Sequence, residues 1–266
     1  MDRLPSALTD GALAEILDGR PPALFLDYDG TLTAIADRPE DALLPPATRE
    51  TLAALSRLCP VAVVSGRARA EVEGLVGLPG IVYVGCHGFD IAGPGLVPPR
   101  PSAAEAEWAV PVLAELADAL ARRLGSIEGV RVENKTYAVA VHTRLAAPER
   151  EDEVRAAVAG RAARHPELRL TAGKKVIEVR PRVEWDKGRA VLWLLGLPPL
   201  DRPEVVPVYV GDDLTDEDAF AALEDRGVGI AVGRDSRRTL ARYALEGPRE
   251  VLILLEAVRA QLARLP

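Results

Sequence analysis

Five apolar runs of four to six residues, Ala23–Leu26, Val61–Val64, Ile81–Val84, Val205–Val210 and Val228–Val232, constrain this chain more than any other feature. Each is too short for a buried helix, and the last four are rich in β-branched residues, so each reads as a strand buried on both faces. Helical patterns over Ala47–Leu58, Ala68–Val76 and Glu217–Leu223 alternate with them, and an amphipathic stretch, Arg249–Leu265, closes the chain. Strands alternating with helices predict an α/β domain on a parallel sheet. Ligands of such a sheet gather beyond the carboxyl ends of its strands. The residues that stop each run are therefore the place to look for chemistry.

Between the third run and the fourth the texture changes. A helical pattern (about Ala104–Leu124) precedes two alternating strands, Val130–Glu133 and Tyr137–Thr143; a second helix, Pro148–Arg164, precedes two more, Leu168–Thr171 and Val176–Arg180. This α-β-β-α-β-β order predicts a small α+β domain whose sheet is covered on one face by two helices. It is expected over residues 102–182, inserted into a discontinuous core domain formed by 1–101 and 183–266. The Pro-containing stretches Pro98–Ser102 and Pro181–Glu184 are the expected hinges. A chain of 266 residues, 48% hydrophobic, can bury two such cores.

The formal charge of -7 speaks against nucleic-acid or anionic-membrane partners. Cys59 and Cys86 are the only cysteines, too few for a disulfide framework or a cysteine zinc site. Acidic residues interrupt Met1–Leu17, which does not read as a signal peptide, and no window approaches the ~20 apolar residues of a membrane span. A soluble, cytoplasmic protein is expected.

The first run ends in Asp27-Tyr28-Asp29-Gly30-Thr31. Two acids two residues apart beside a glycine turn can divide labour, one as nucleophile and one as proton donor. Their mutual repulsion calls for a cation. The second run ends in Ser65-Gly66-Arg67, a hydroxyl and a series of backbone N–H groups suited to phosphate oxygens. Trp185-Asp186-Lys187-Gly188 opens a helix over Arg189–Leu195, with Asp186 as the expected N-cap. Lys187 is notable in a chain that otherwise favours Arg, because a compact ammonium suits a crowded phosphate. The fourth run ends in Gly211-Asp212-Asp213-Leu214-Thr215-Asp216-Glu217, where Thr215 or Asp216 is also expected to cap a helix. An all-oxygen ligand set favours Mg²⁺ over zinc. Each string alone has a bland reading as a turn or cap, but four at four strand ends converge on one site.

These strings, in this order, resemble the haloacid dehalogenase superfamily of phosphatases. The resemblance implies a Rossmann-like parallel-sheet core with an inserted cap of the second (C2) type. It implies Asp27 as nucleophile, Asp29 as general acid and then base, and Ser65 and Lys187 as phosphoryl ligands. Mg²⁺ would be held by the Asp27 carboxylate, the Asp29 carbonyl and Asp212, with Asp213 and Asp216 behind them. Within the insertion, strand parity places Glu133 with Lys135, His142 with Arg144, and Lys174 with Val176 and Glu178. Gly85-Cys86-His87-Gly88, Val132-Glu133-Asn134-Lys135, Val141-His142-Thr143-Arg144 and the run from Gly173 to Pro181 are similar to those of trehalose-6-phosphate phosphatases. By that resemblance Glu133, Lys135, Lys174 and Glu178 hold the distal glucose and His87 lies near the seam between core and cap. Thr31, Gly66, Arg67 and Arg144 complete the expected substrate-binding set. Functional coupling to a trehalose-6-phosphate synthase is an expectation on the same ground. Sucrose-phosphate and mannosyl- or glucosyl-3-phosphoglycerate phosphatases share the architecture and stay open, as does a sugar-phosphate-binding regulatory protein. A phosphotransfer mutase is disfavoured because nothing marks a bisphosphate site. A signalling receiver module is disfavoured because Asp27 and Asp29 share the first strand.

Overall fold

The computed structural model describes residues 4–96, 105–173, 175–198, 200–233 and 238–264. The expected hinge Pro98–Ser102 and Lys174 lie outside these residues. The chain divides into two compact units, Met1–Leu96 with Trp185–Pro266, and Val97–Glu184.

The first unit carries strands β1 (Pro22–Leu26), β2 (Val61–Val64), β3 (Val82–Gly85), β4 (Asp90–Ala92), β9 (Val206–Gly211), β10 (Val228–Val232) and β11 (Tyr243–Leu245). They form one sheet in the order β11-β10-β9-β1-β2-β3-β4. Every pairing is parallel except β3 with β4. Its helices are α1 (Ala12–Leu17), α2 (Pro46–Leu55), α3 (Arg69–Val76), α6 (Lys187–Leu195), α7 (Glu217–Leu223) and α8 (Pro248–Leu262). Alternation along the strands sorts the two faces. Leu24, Leu26, Val61, Val63, Val208 and Val210 pack in one cluster with residues of α1, α2, α3 and α8. The intervening Tyr209 turns to the opposite face, where its ring meets Phe220 of α7 edge-on at 5.7 Å. The central β1 is buried at all five positions, and Leu26 sits level with Val63 and Val210. The chain therefore leaves β1 at Asp27 flanked by the ends of β2 and β9.

Three elements were not foreseen. In α1 only six residues are helical, closed by Asp18 in the left-handed conformation, too short for a clear apolar period. The three-residue strands β4 and β11 sit at the two edges of the sheet, where brief pairing needs little apolar pattern.

The second unit carries α4 (Ala109–Leu124), β5 (Arg131–Asn134), β6 (Val139–His142), α5 (Glu151–Ala162), β7 (Leu168–Gly173) and β8 (Val176–Pro181), in the expected α-β-β-α-β-β order. Its four strands are antiparallel, arranged β5-β6-β8-β7. In α4 the buried Ala109, Leu113, Leu116, Ala117, Leu120 and Leu124 recur at helical spacing. With Val154 and Val158 of α5 they bury Val139, Val141, Ile177 and Val179, one face of the sheet.

Candidate active site

Alternation at the end of β1 decides which way each residue points. Tyr28 joins the apolar cluster below the sheet, and its hydroxyl donates to the Ala42 carbonyl at 2.7 Å. Asp27 faces the other side, toward α6 and α7, with its N–H bonded to the Val210 carbonyl at 2.9 Å. The chain then turns sharply, the N–H groups of Leu32 and Thr33 both donating to the Tyr28 carbonyl at 3.0 and 3.1 Å. Gly30 makes this turn at φ +84°, and a Cβ there would stand 2.3 Å from Asp212 Oδ2. Only glycine lets the Asp212 carboxylate lie against the turn.

Lys187 reaches the same place from α6. The Asp186 carboxylate caps that helix, accepting from Arg189 N at 2.8 Å as expected. A Cβ on Gly188 would sit 2.2 Å from the Asp218 carbonyl, so glycine there lets α6 close on α7. Lys187 Nζ consequently donates to Asp27 Oδ1 at 2.8 Å and to Asp216 Oδ1 at 2.7 Å. Asp216 is wholly buried and also accepts from the Tyr209 hydroxyl at 2.7 Å and from Asp213 N at 2.8 Å. Burial pulls the Lys187 pKa down, but Asp216 and Asp27 outweigh it and hold it well above the ordinary lysine value. Burial pushes Asp27 above the usual carboxylate range; Asp216 and Asp212 add to that and Lys187 opposes it.

Oxygens of Asp27, Asp212 and Asp216 lie within 4.8 Å of one another. One ammonium faces three carboxylates, a deficit of positive charge that a hard divalent cation with oxygen ligands fits. Asp216 already accepts from Lys187, Tyr209 and Asp213 N. Asp213 turns its own carboxylate to the backbone, accepting from Leu214 N at 2.7 Å and forming a capping box with Asp216. The side-chain cap comes from Asp213, because the turn begins as a 3₁₀ helix at Leu214; Asp216 occupies the N-cap position of α7, as expected, but makes no side-chain cap bond there.

At the end of β2, Ser65 N donates to the Val84 carbonyl at 2.8 Å and the buried Ser65 Oγ accepts from Arg67 N at 3.1 Å. Cys86, His87 and Gly88 are successive left-handed residues (φ 51°, 56° and 108°), and His87 N donates to the Ser65 carbonyl at 3.0 Å. That turn lays the His87 ring over Gly66, where a Cβ would meet Cε1 at 2.6 Å. Trp185 Nε1 secures the turn through the Gly88 carbonyl at 2.8 Å. The Thr31 side chain is fully buried, and its hydroxyl has no hydrogen-bond partner among the described residues. Arg67 points at Asp29 in a two-pronged pair, Nε to Oδ2 and Nη2 to Oδ1, both at 2.7 Å.

In the second unit the register gathers onto one face what parity had left in separate sets. Glu133 sits opposite Ala140, and Ala140 opposite Glu178, in one row across three strands. Lys135 Nζ pairs with Glu178 Oε1 at 2.9 Å, both buried, and Glu133 Oε2 bonds His142 Nε2 at 2.8 Å. Arg180 donates to Thr171 Oγ1 at 2.9 Å on the same face. Arg144 is half-buried just beyond β6.

Sequence reasoning missed Tyr209, Glu71 and the pairing of Arg67 with Asp29. A tyrosine inside a strand of valines was the available signal for the first, since its buried hydroxyl must find a partner.

An α/β fold with an inserted α+β unit, acids and a serine at adjacent strand ends and a lysine reaching them from a helix start is that of haloacid dehalogenase-type hydrolases. One such hydrolase, from Bacteroides thetaiotaomicron, superposes with a TM-score of 0.59 over 91% of this chain and 100% of its own, at 16% identity, which speaks to the fold alone. The family profile of trehalose-phosphatases matches residues 25–249. The trehalose-phosphate phosphatase of Mycobacterium tuberculosis is 45% identical over 270 residues, spanning 100% of this chain and 68% of its own length. The C-terminal domain of Candida albicans trehalose-6-phosphate phosphatase superposes with a TM-score of 0.78, at 27% identity, over 97% of this chain and 98% of its own. The chain belongs to the trehalose-phosphatase family.

Proposed function

We propose that this chain hydrolyses trehalose 6-phosphate to trehalose and inorganic phosphate through an aspartyl-phosphate on Asp27. The observation that carries the reading is the bridge of Lys187 Nζ between Asp27 and Asp216, buried beside Asp212 at the strand ends. A lysine held in this way presents charge where phosphoryl oxygens gather and leaves the second Asp27 oxygen, Oδ2, for attack. Asp27 Oδ2 bonds to phosphorus as the bond from phosphorus to the sugar oxygen breaks. Asp29, which is a third exposed, gives its proton to the departing oxygen. The Asp29 carboxylate then takes a proton from water as that water attacks phosphorus, releasing phosphate and restoring Asp27. Ser65 binds phosphoryl oxygens, with Thr31, Gly66 and His87 beside it. Asp27, Asp212 and the Asp29 carbonyl would hold Mg²⁺, which would supply neutralisation of the phosphoryl charge.

The face of the second unit's sheet away from its helices, with Glu133, Lys135, Arg144 and Glu178, offers the donors and acceptors that sugar hydroxyls need; Lys174, outside the described residues, is read with them. No helix among the described residues is long and apolar enough to cross a membrane. We place the reaction in the cytoplasm, downstream of a trehalose-6-phosphate synthase that supplies the substrate.

The test is phosphate release from trehalose 6-phosphate, sucrose 6-phosphate and glucosyl-3-phosphoglycerate, with and without Mg²⁺. Release confined to the first and abolished by a chelator is expected, with Asp27→Asn losing at least ~10³-fold. Equal turnover of all three overturns the substrate, and full activity in metal-free buffer overturns the cofactor.

A further inference from the structure

The sequence suggested Arg67 as a substrate ligand, but its surroundings give it different work. Its side chain is 8% exposed, whereas that of Asp29 is 37% exposed. The guanidinium therefore lies behind the carboxylate, away from solvent. Nε donates to Asp29 Oδ2, and Nη2 donates both to Asp29 Oδ1 and to the Pro39 carbonyl, the last at 2.9 Å. Nη1 pairs with Glu71, four residues along and on the first turn of α3. The Tyr28 ring lies beneath, 5.4 Å from the guanidinium carbon, and is itself anchored to the Ala42 carbonyl. Four of the five guanidinium hydrogens are thus committed within the protein. Its charge lies between two carboxylates, and that leaves little for a phosphate.

We propose that Arg67 is the positioning residue for Asp29. It fixes the place and plane of that carboxylate by gripping both oxygens, while Glu71, Tyr28 and Pro39 hold the grip from behind. Each Asp29 oxygen keeps a lone pair on the exposed side, so one can meet the sugar oxygen and later the attacking water. The geometry needs a planar fork: a lysine carries the same charge but cannot span both oxygens. This inference rests on the reading of Asp29 as the proton-transfer group.

The experiment compares Arg67→Met, Arg67→Lys and Glu71→Gln on trehalose 6-phosphate and on p-nitrophenyl phosphate, with Asp29→Asn alongside. An acid out of place by about 1 Å costs on the order of 10²-fold. Arg67→Met should therefore lose about that in kcat on the sugar phosphate, while KM and inhibition by inorganic phosphate change less than ~3-fold. Arg67→Lys should not rescue, and Glu71→Gln should show the same kcat-only signature at ~10-fold. With p-nitrophenyl phosphate, whose leaving group needs no proton, the first burst of p-nitrophenolate should survive in Arg67→Met while steady turnover slows. A distorted fold would shrink the burst. If phosphate inhibition weakens in step with kcat, Arg67 is a phosphate ligand and the proposal is wrong; it is equally wrong if kcat stays within ~3-fold. Should Arg67→Met fail to melt cooperatively, Glu71→Gln decides on the same criteria. An active Asp29→Asn would instead overturn the role of Asp29 itself.

Discussion

Replacing Gly30 with alanine tests whether the Asp212 carboxylate must lie against the turn that follows Asp27. The added Cβ would stand 2.3 Å from Oδ2, 2.4 Å from Cγ and 2.7 Å from Oδ1 of Asp212. Carbon–oxygen contacts settle near ~3.3–3.6 Å, so the carboxylate must withdraw by about 1 Å. The turn holds Gly30 at φ +84°, which costs alanine a further ~1–2 kcal/mol. Two outcomes follow from these separate causes. The melting temperature should fall by roughly 2–8 °C. Turnover of trehalose 6-phosphate should fall by about 10²-fold, and the Mg²⁺ concentration for half-activity should rise with it. Steady-state kinetics over a Mg²⁺ titration, paired with calorimetry, reads both. Gly74→Ala is the control: it lies within α3 with no atom near the new Cβ, and should leave kcat unchanged while gaining about 0.5–1 kcal/mol. A Gly30→Ala enzyme that melts lower yet keeps wild-type turnover and Mg²⁺ response would refute the claim that Asp212 needs this position.

Tyr209→Phe should lower the melting temperature by ~3–12 °C, the worth of one hydrogen bond to a charged acceptor, because Asp216 keeps only Lys187 and Asp213 N; an unchanged melt denies that bond a net contribution. Glu178→Ala removes the carboxylate paired with the buried Lys135 ammonium and should cost up to ~3–5 kcal/mol by denaturant titration, whereas Lys135→Met with Glu178→Leu should recover most of the loss; equal losses in single and double variants would mean the pair is not coupled. Around Glu133, burial raises the carboxyl pKa, but the bond from His142 and the charge of Lys135 outweigh it and bring it below the ordinary 4.5. A depressed carboxylate contributes stability in full above pH 4.5 and loses it as pH falls through the lowered value. The melting-temperature gap between wild type and Glu133→Gln should therefore narrow as pH falls below 4.5, and a gap that widened there would contradict the shift.

What was legible from the sequence is local in the chain. Asp27 and Asp29, Ser65, Lys187 and Asp212 each stand at the end of an apolar run or the start of a helix, so a strand boundary and a rule about sheets suffice to bring them together. Parity likewise put Glu133 and Lys135 on one face. It could not put Glu178 in line with Glu133, because register across β5, β6 and β8 depends on where each hairpin turns, not on alternation within a strand. The same limit applied at Arg67. A side chain's type says which chemistry it can do, but not which carboxylate it meets 38 residues away.

That limit bears on how such a site is built. Lys187 ties Asp27 to Asp216 with short bonds, and Tyr209 and Asp213 N complete Asp216 from behind. Asp29 is different: it stands a third exposed on a turn, where a carboxylate left alone would sample several rotamers in water. On the proposed reading Asp29 gives up a proton and later takes one, so one face of its carboxylate must stay clear for the sugar oxygen and for water. Holding it still must therefore come from one side only. The Arg67 fork does this from the buried side, and its own anchors, Glu71 and the Tyr28 ring, come from α3 and from the residue between the two acids. Tyr28 thus serves the sheet core and the site at once: the ring that packs beneath β1 also carries the guanidinium that orients Asp29.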